Sequence, residues 1–117
     1  MKPWLAALAT AAWLPGCGAP GQPLTGDPEN GRLLLRQFGC GHCHRIPGVA
    51  DAQGTAGPPL AKVGERAYLA GVLPNTAANM AAFIRDPRRF DPRTTMPDLG
   101  VTEAHARDMV AYLAEAK

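Results

Sequence analysis

The five residues Cys40-Gly41-His42-Cys43-His44 constrain this chain more than any other stretch. Two cysteines separated by two residues, with a histidine directly after the second, form the attachment sequence for a c-type haem. Each thiol can add across one vinyl group of the porphyrin, and the two-residue spacer on a single helical turn matches the vinyl separation. His44 is then held under the ring, where its imidazole can bind the iron. A thioredoxin-like dithiol is the first alternative, but it needs a βαβ setting that the flanking sequence lacks. A structural zinc site is the second, and it normally requires four ligands. The remaining cysteine, Cys17, lies far upstream, and no second C-x-x-C or H-x-H pair exists.

With 117 residues the chain has room for one domain and a short leader. Domains of this size bury a limited fraction of their surface and often lean on a staple or a cofactor. A covalently attached haem would serve as both. The 13 glycines and 12 prolines predict long ordered loops between few elements. A formal charge of +2, with acids interspersed among the arginines, argues against nucleic acid as a partner. Three cysteines leave no disulfide framework once two serve the haem.

Residues 1–16 read as an export signal: Lys2, then an apolar run from Trp4 to Leu14 that is shorter than the about 20 residues a spanning helix needs. The run ends in Leu14-Pro15-Gly16-Cys17-Gly18, which resembles a bacterial lipoprotein signal with Cys17 as the acylated residue. The alternative is a secreted protein cut near this point, with Cys17 removed or left as a free thiol. Either way the expected location is the periplasm or the extracytoplasmic face of a bacterial membrane. Residues 17–26, rich in Gly and Pro, read as a tether between a lipid anchor and a globular head, or as a frayed terminus of the same composition.

The domain is expected over residues 27–117. Asp27 can cap a first helix with Pro28 at its first position and Glu29 in its first turn, carrying Leu33, Leu34 and Leu35 to about Phe38. Gly31 offers a point of close backbone approach, and Gly39 lets the chain turn. From Arg45 to Gly64 the chain is irregular and contains Gly57-Pro58-Pro59-Leu60. A histidine ligand commonly donates its second ring N–H to a carbonyl, and Pro58 is the candidate acceptor; the alternative is that the prolines only stiffen a loop. Residues 65–73 suit a helical turn or an extended edge. A helix from Ala77 to Arg85 follows Thr76, with Met80, Phe83 and Ile84 on one face toward the core, and Asp86-Pro87 ends it.

Arg85, Arg88, Arg89 and Arg93 cluster next, either as a solvated face or in answer to the haem propionates or an acidic partner. Of four methionines, Met1 is in the leader, while Met80 and Met109 fall on amphipathic faces where methionine fills the core. Met96, in the polar loop Thr94–Gly100, is the candidate for the sixth iron ligand, with Met80 second. His42 should point away from the iron, and His105 reads as a solvated helix residue. The last helix runs from Glu103, capped by Thr102, to about Ala116. Its face of Ala106, Met109, Val110 and Leu113 should pack on the first helix near Gly31.

Cys40-x-x-Cys43-His44, Gly57-Pro58-Pro59-Leu60, Met96-Pro97 and the closing Val110-Ala111-Tyr112-Leu113 together resemble the class I cytochrome c family. The run Gly71-Val72-Leu73-Pro74-Asn75-Thr76, with Asn79-Met80-Ala81 and Asp86-Pro87, is similar to the haem domain of caa-type cytochrome oxidase subunit II. The resemblance implies a small all-α fold, with N- and C-terminal helices crossing beside one haem c, the Pro58 carbonyl on His44, and Met96 as sixth ligand. Leu35 departs from it, standing where an aromatic residue is common.

Histidine–methionine ligation saturates the iron, so the expected function is one-electron transfer with a respiratory oxidase or dehydrogenase, and no small-molecule substrate. The copper-binding and membrane-spanning parts of an oxidase subunit are not in the sequence, so a stand-alone carrier or accessory cytochrome is expected. The alternatives are a haem enzyme or gas sensor with an open sixth site, and a fixed electron-transfer subunit of a larger complex.

Overall fold

The computed structural model describes residues 25–117; the expected leader, Cys17 and most of the tether lie outside the described residues. Four helices carry the fold: α1 (Pro28–Gln37), α2 (Ala77–Arg85), α3 (Pro87–Phe90) and α4 (Glu103–Glu115). Among the described residues no helix is long and apolar enough to cross a membrane.

Helix α1 starts as its sequence dictates. The Asp27 carboxylate accepts from the backbone N–H groups of Glu29 (2.9 Å) and Asn30 (3.2 Å), and Pro28 occupies a position whose missing N–H costs nothing. It ends where Gly39 turns left-handed at φ 72°. Gly31, Leu34 and Leu35 face inward, and Leu35, only 2 % exposed, packs into the core in place of an aromatic ring. At Gly31 the backbones of α1 and α4 meet: a Cβ there would run into the Asp108 carbonyl and stand 3.0 Å from the Met109 nitrogen. From α4, Thr102 Oγ1 caps the His105 N–H (3.2 Å), and Ala106, Met109, Val110 and Leu113 line the buried face. Ile46, Val49, Ala52, Val63, Leu69 and Met80 complete the same core.

Asp108 ties the crossing together. Its carboxylate accepts from the Asp27 N–H (2.8 Å) and from Asn30 Nδ2 (2.7 Å), and these two bonds hold its pKa below the ordinary aspartate value. A carboxyl whose native pKa lies below its unfolded value contributes stability that is fully present above the unfolded pKa. That contribution disappears as pH falls through the native pKa. Asp108→Asn should therefore lower stability at neutral pH, and the difference from wild type should narrow as urea melts are taken below the ordinary aspartate range.

Between Glu65 and α2 the expected edge is a small hairpin, preceded by a 3₁₀ turn at Val63–Glu65. Strand β1 (Tyr68–Leu69) pairs antiparallel with β2 (Leu73–Pro74). The turn is closed by Val72 N–H to Leu69 O at 2.9 Å, and its two central residues, Ala70 and Gly71, both have positive φ (49° and 70°). Glycine takes this conformation freely, but alanine pays a steric cost of about 1–2 kcal/mol. Ala70→Asn should recover roughly 0.5–1 kcal/mol of that, read as a rise of a few degrees in melting temperature.

Two details of the middle helices depart from the periodicity. Asp86-Pro87 ends α2 but also starts α3, because the Asp86 carboxylate accepts from the Arg89 N–H (3.2 Å) and Pro87 sits in the first turn. Phe83 turns from the core expected for it and meets Phe90 of α3, ring centroids 6.3 Å apart, while Met80 and Ala81 carry the buried face and Ile84 packs at its edge.

Candidate functional site

Cys40–His42 forms a single 3₁₀ turn directly after Gly39, and the N–H groups of both Cys43 and His44 return to the Cys40 carbonyl at 3.3 and 3.0 Å. One tight turn thus presents two thiols and an imidazole. Neither cysteine is in a disulfide; Cys43 is exposed, and Cys40 is half-buried, with burial pushing its thiol pKa up.

The segment after His44 folds back over this turn. Gly54 N–H reaches Gly41 O (3.0 Å), Gly57 N–H reaches Cys43 O (2.7 Å), and Leu60 N–H reaches Arg45 O (2.8 Å). The stretch that looks irregular in sequence is an ordered wrap. At Gly57 it lies against the imidazole: a Cβ there would stand 2.5 Å from His44 Cε1, 2.7 Å from Nδ1 and 3.0 Å from Nε2. Only glycine lets the loop lie against the ring. That placement sets the Pro58 carbonyl oxygen 2.7 Å from His44 Nδ1. A carbonyl cannot donate, so Nδ1 carries the proton and Nε2 of the neutral ring keeps the free lone pair.

Two thiols, one imidazole fixed in the metal-binding tautomer, and a glycine cradle against that ring are the donor set a covalently attached haem requires. A zinc reading lacks ligands: among the described residues no group of three or more His, Cys, Asp or Glu side chains comes together.

Met96 is on the loop between α3 and α4. It is half-buried, and its N–H is held by Thr94 Oγ1 at 3.2 Å. Met80 is 6 % exposed and Met109 0 %, both within the core, so among the described methionines only Met96 is outside it. Of the nitrogen alternatives, His42 is exposed. His105 is not the solvated residue expected from the sequence. Its ring stands edge-on to Phe38 at 5.7 Å, and its buried Nδ1 has no partner in the structure.

Arg66, which the sequence does not mark, braces the Pro58 loop, and Asn75, quoted above only within the run Gly71–Thr76, braces the turn that bears Arg66. Arg66 donates to the Pro59 carbonyl and, at 3.4 Å, to that of Ala61. Asn75 Nδ2 donates to the carbonyls of Val63 (2.8 Å) and Arg66 (2.7 Å). The arginine cluster stands in contrast. Arg32, Arg36, Arg107 and Lys117 each pair with a carboxylate, whereas none of Arg85, Arg88, Arg89 and Arg93 does among the described residues.

The sequence model of the family Cytochrome c matches residues 28–117. Cytochrome c oxidase subunit 2 from Alkalihalophilus pseudofirmus is 33% identical over 108 residues, covering 91% of this chain but 31% of that protein. The chain therefore spans about a third of that relative's length. Among solved structures, SoxXA from P. pantotrophus superposes with a TM-score of 0.62 at 22% identity, covering 81% of this chain and 83% of the other. Cytochrome c2 from Rhodobacter sphaeroides follows with a TM-score of 0.54 at 21% identity, covering 79% and 97%. At these identities the two structures speak to the fold.

Proposed function

The chain belongs to the cytochrome c family, with a covalently bound haem c, and from that premise we propose that it is a membrane-tethered one-electron carrier serving a respiratory complex. Cys40 and Cys43 would hold the haem through thioethers, and His44 and Met96 would bind its iron. When bound, the haem supplies a reversible one-electron change at its iron. The residues do the rest. Pro58 holds His44 in the tautomer that offers Nε2 to a metal, and Gly57 lets it do so. The observation that carries the reading is this fixed imidazole, two thiols beside it, with one of the described methionines left outside the core.

Delivery needs a docking face and an address. Four arginines within nine residues, none paired with a carboxylate, favour an acidic partner. Arg88→Glu with Arg89→Glu should slow electron transfer to respiratory membranes on the order of tenfold at low salt, and the difference should fade at high salt. Stopped-flow rates insensitive to both would remove the docking reading. The address is the acylated Cys17: Cys17→Ser should move the protein from the membrane to the soluble fraction, and a wild type found soluble would contradict the anchor.

A second reading, a fixed subunit of an oxidase, is favoured by the likeness to cytochrome c oxidase subunit 2. Co-purification from mild detergent separates the two, because a carrier comes away alone.

A further inference from the structure

We propose that Arg66 and Asn75 are positioning residues for the His44 imidazole, acting through the 58–61 loop without touching the ligand itself. The inference rests on His44 being an iron ligand. Pro58 and Pro59 have no N–H, so this step of the loop cannot be pinned by its own backbone donors. Its flanks are fixed by Gly57 N–H to Cys43 O (2.7 Å) and Leu60 N–H to Arg45 O (2.8 Å). Between them the Pro58 carbonyl accepts a hydrogen bond from the His44 Nδ1–H, and the Pro59 carbonyl is gripped by the Arg66 guanidinium, whose same nitrogen reaches Ala61 O at 3.4 Å. Among the described residues the Pro59 carbonyl has no other donor.

The grip is only as firm as the place where Arg66 is rooted. That root is Asn75. Its single amide nitrogen donates to Val63 O and Arg66 O, and its own N–H goes to Ala67 O at 3.0 Å. These bonds fix the turn bearing Arg66 to the start of α2. The order of action therefore runs from Asn75 to Arg66, to the Pro59 carbonyl, to the Pro58 carbonyl, and so to His44 Nδ1. A carbonyl held close to that N–H makes the imidazole a stronger donor and favours the ferric iron. Loosening it should raise the midpoint potential.

The test uses the full holoprotein with Arg66→Lys, Arg66→Gln and the neutral Asn75→Leu. Three results are expected: a higher midpoint potential in all three, faster solvent exchange of the His44 Nδ1 proton by NMR, and a double variant whose shift falls short of the sum of the singles. Arg66→Lys keeps the charge but replaces the planar guanidinium with a shorter-reaching ammonium, so its shift reports geometry. Variants that melt earlier yet keep the wild-type potential and proton exchange would overturn the proposal. So would a shift in Arg66→Gln with none in Arg66→Lys, which is a charge effect alone. Arg66 is exposed, so its variants carry the test if Asn75→Leu does not fold. The wild type serves as control for the premise: His44 ring protons without the large shifts of an iron-bound imidazole would fail the ligand reading and not the relay.

Discussion

Met96→Ala is expected to abolish the charge-transfer band of a sulfur-ligated ferric haem and to lower the midpoint potential by roughly a few tenths of a volt, within the ~0.8 V that axial ligation spans. The thioether favours ferrous iron, so its loss moves the potential down. The argument for Met96 is one of elimination and position. Met80 and Met109 are committed to the core, and Met96 sits half-buried on a loop. The backbone hydrogen bonds of that loop are local turns, such as Thr94 N–H to Asp91 O (3.0 Å) and Gly100 N–H to Asp98 Oδ1 (2.9 Å). Such a segment can lay its side chain over a neighbouring face without disturbing a helix. The variant should also bind carbon monoxide in the ferrous state. An unchanged ferric spectrum would transfer the role to another residue, with His105 the first to examine because its buried Nδ1 lacks a partner.

Gly31→Val should cost about 3 kcal/mol or more, seen as a fall in melting temperature of more than about 12 °C. Overpacking against side chains is softened by rotamer changes, but here the obstacle is backbone. The Asp108 carbonyl and the Met109 nitrogen belong to the middle of α4, and neither can move without displacing the buried Met109 and Val110 beside them. The α1–α4 crossing also carries the tie of Asp108 to Asp27 and Asn30, so separating the helices breaks those bonds too. Helix propensity favours the replacement by less than 1 kcal/mol and cannot offset this. A variant that melts with wild type would mean that the two helices do not meet at Gly31.

These two cases show what the sequence could and could not disclose. Cys40-x-x-Cys43-His44 is a local pattern with its chemistry written into its spacing, and the structure folds it into one turn. Caps at Asp27, Thr76 and Thr102 were equally legible, because each acts on N–H groups two or three residues away. Gly31 was legible because a glycine in a helix needs a reason. The hydrogen bonds of Arg66, Asn75 and Asp108 were not. They end on backbone carbonyls or on residues brought together only by folding, and no periodicity marks them. Phe83 misled for a related reason: its spacing fits the core face, but the short helix α3, started by the same Asp86-Pro87 that stops α2, offers it Phe90 instead. His105 sits on α4 between Ala104 and Ala106, and only the crossing of the helices brings Phe38 against it.

The central claim is a porphyrin joined to Cys40 and Cys43 through carbon–sulfur bonds. The most direct measurement is the intact mass of the purified mature protein, taken before and after extraction with acidified acetone. The account predicts a coloured protein heavier than its polypeptide by one haem, with mass and colour both surviving extraction. A colourless protein at the bare polypeptide mass, or pigment that passes into the acetone, would contradict it.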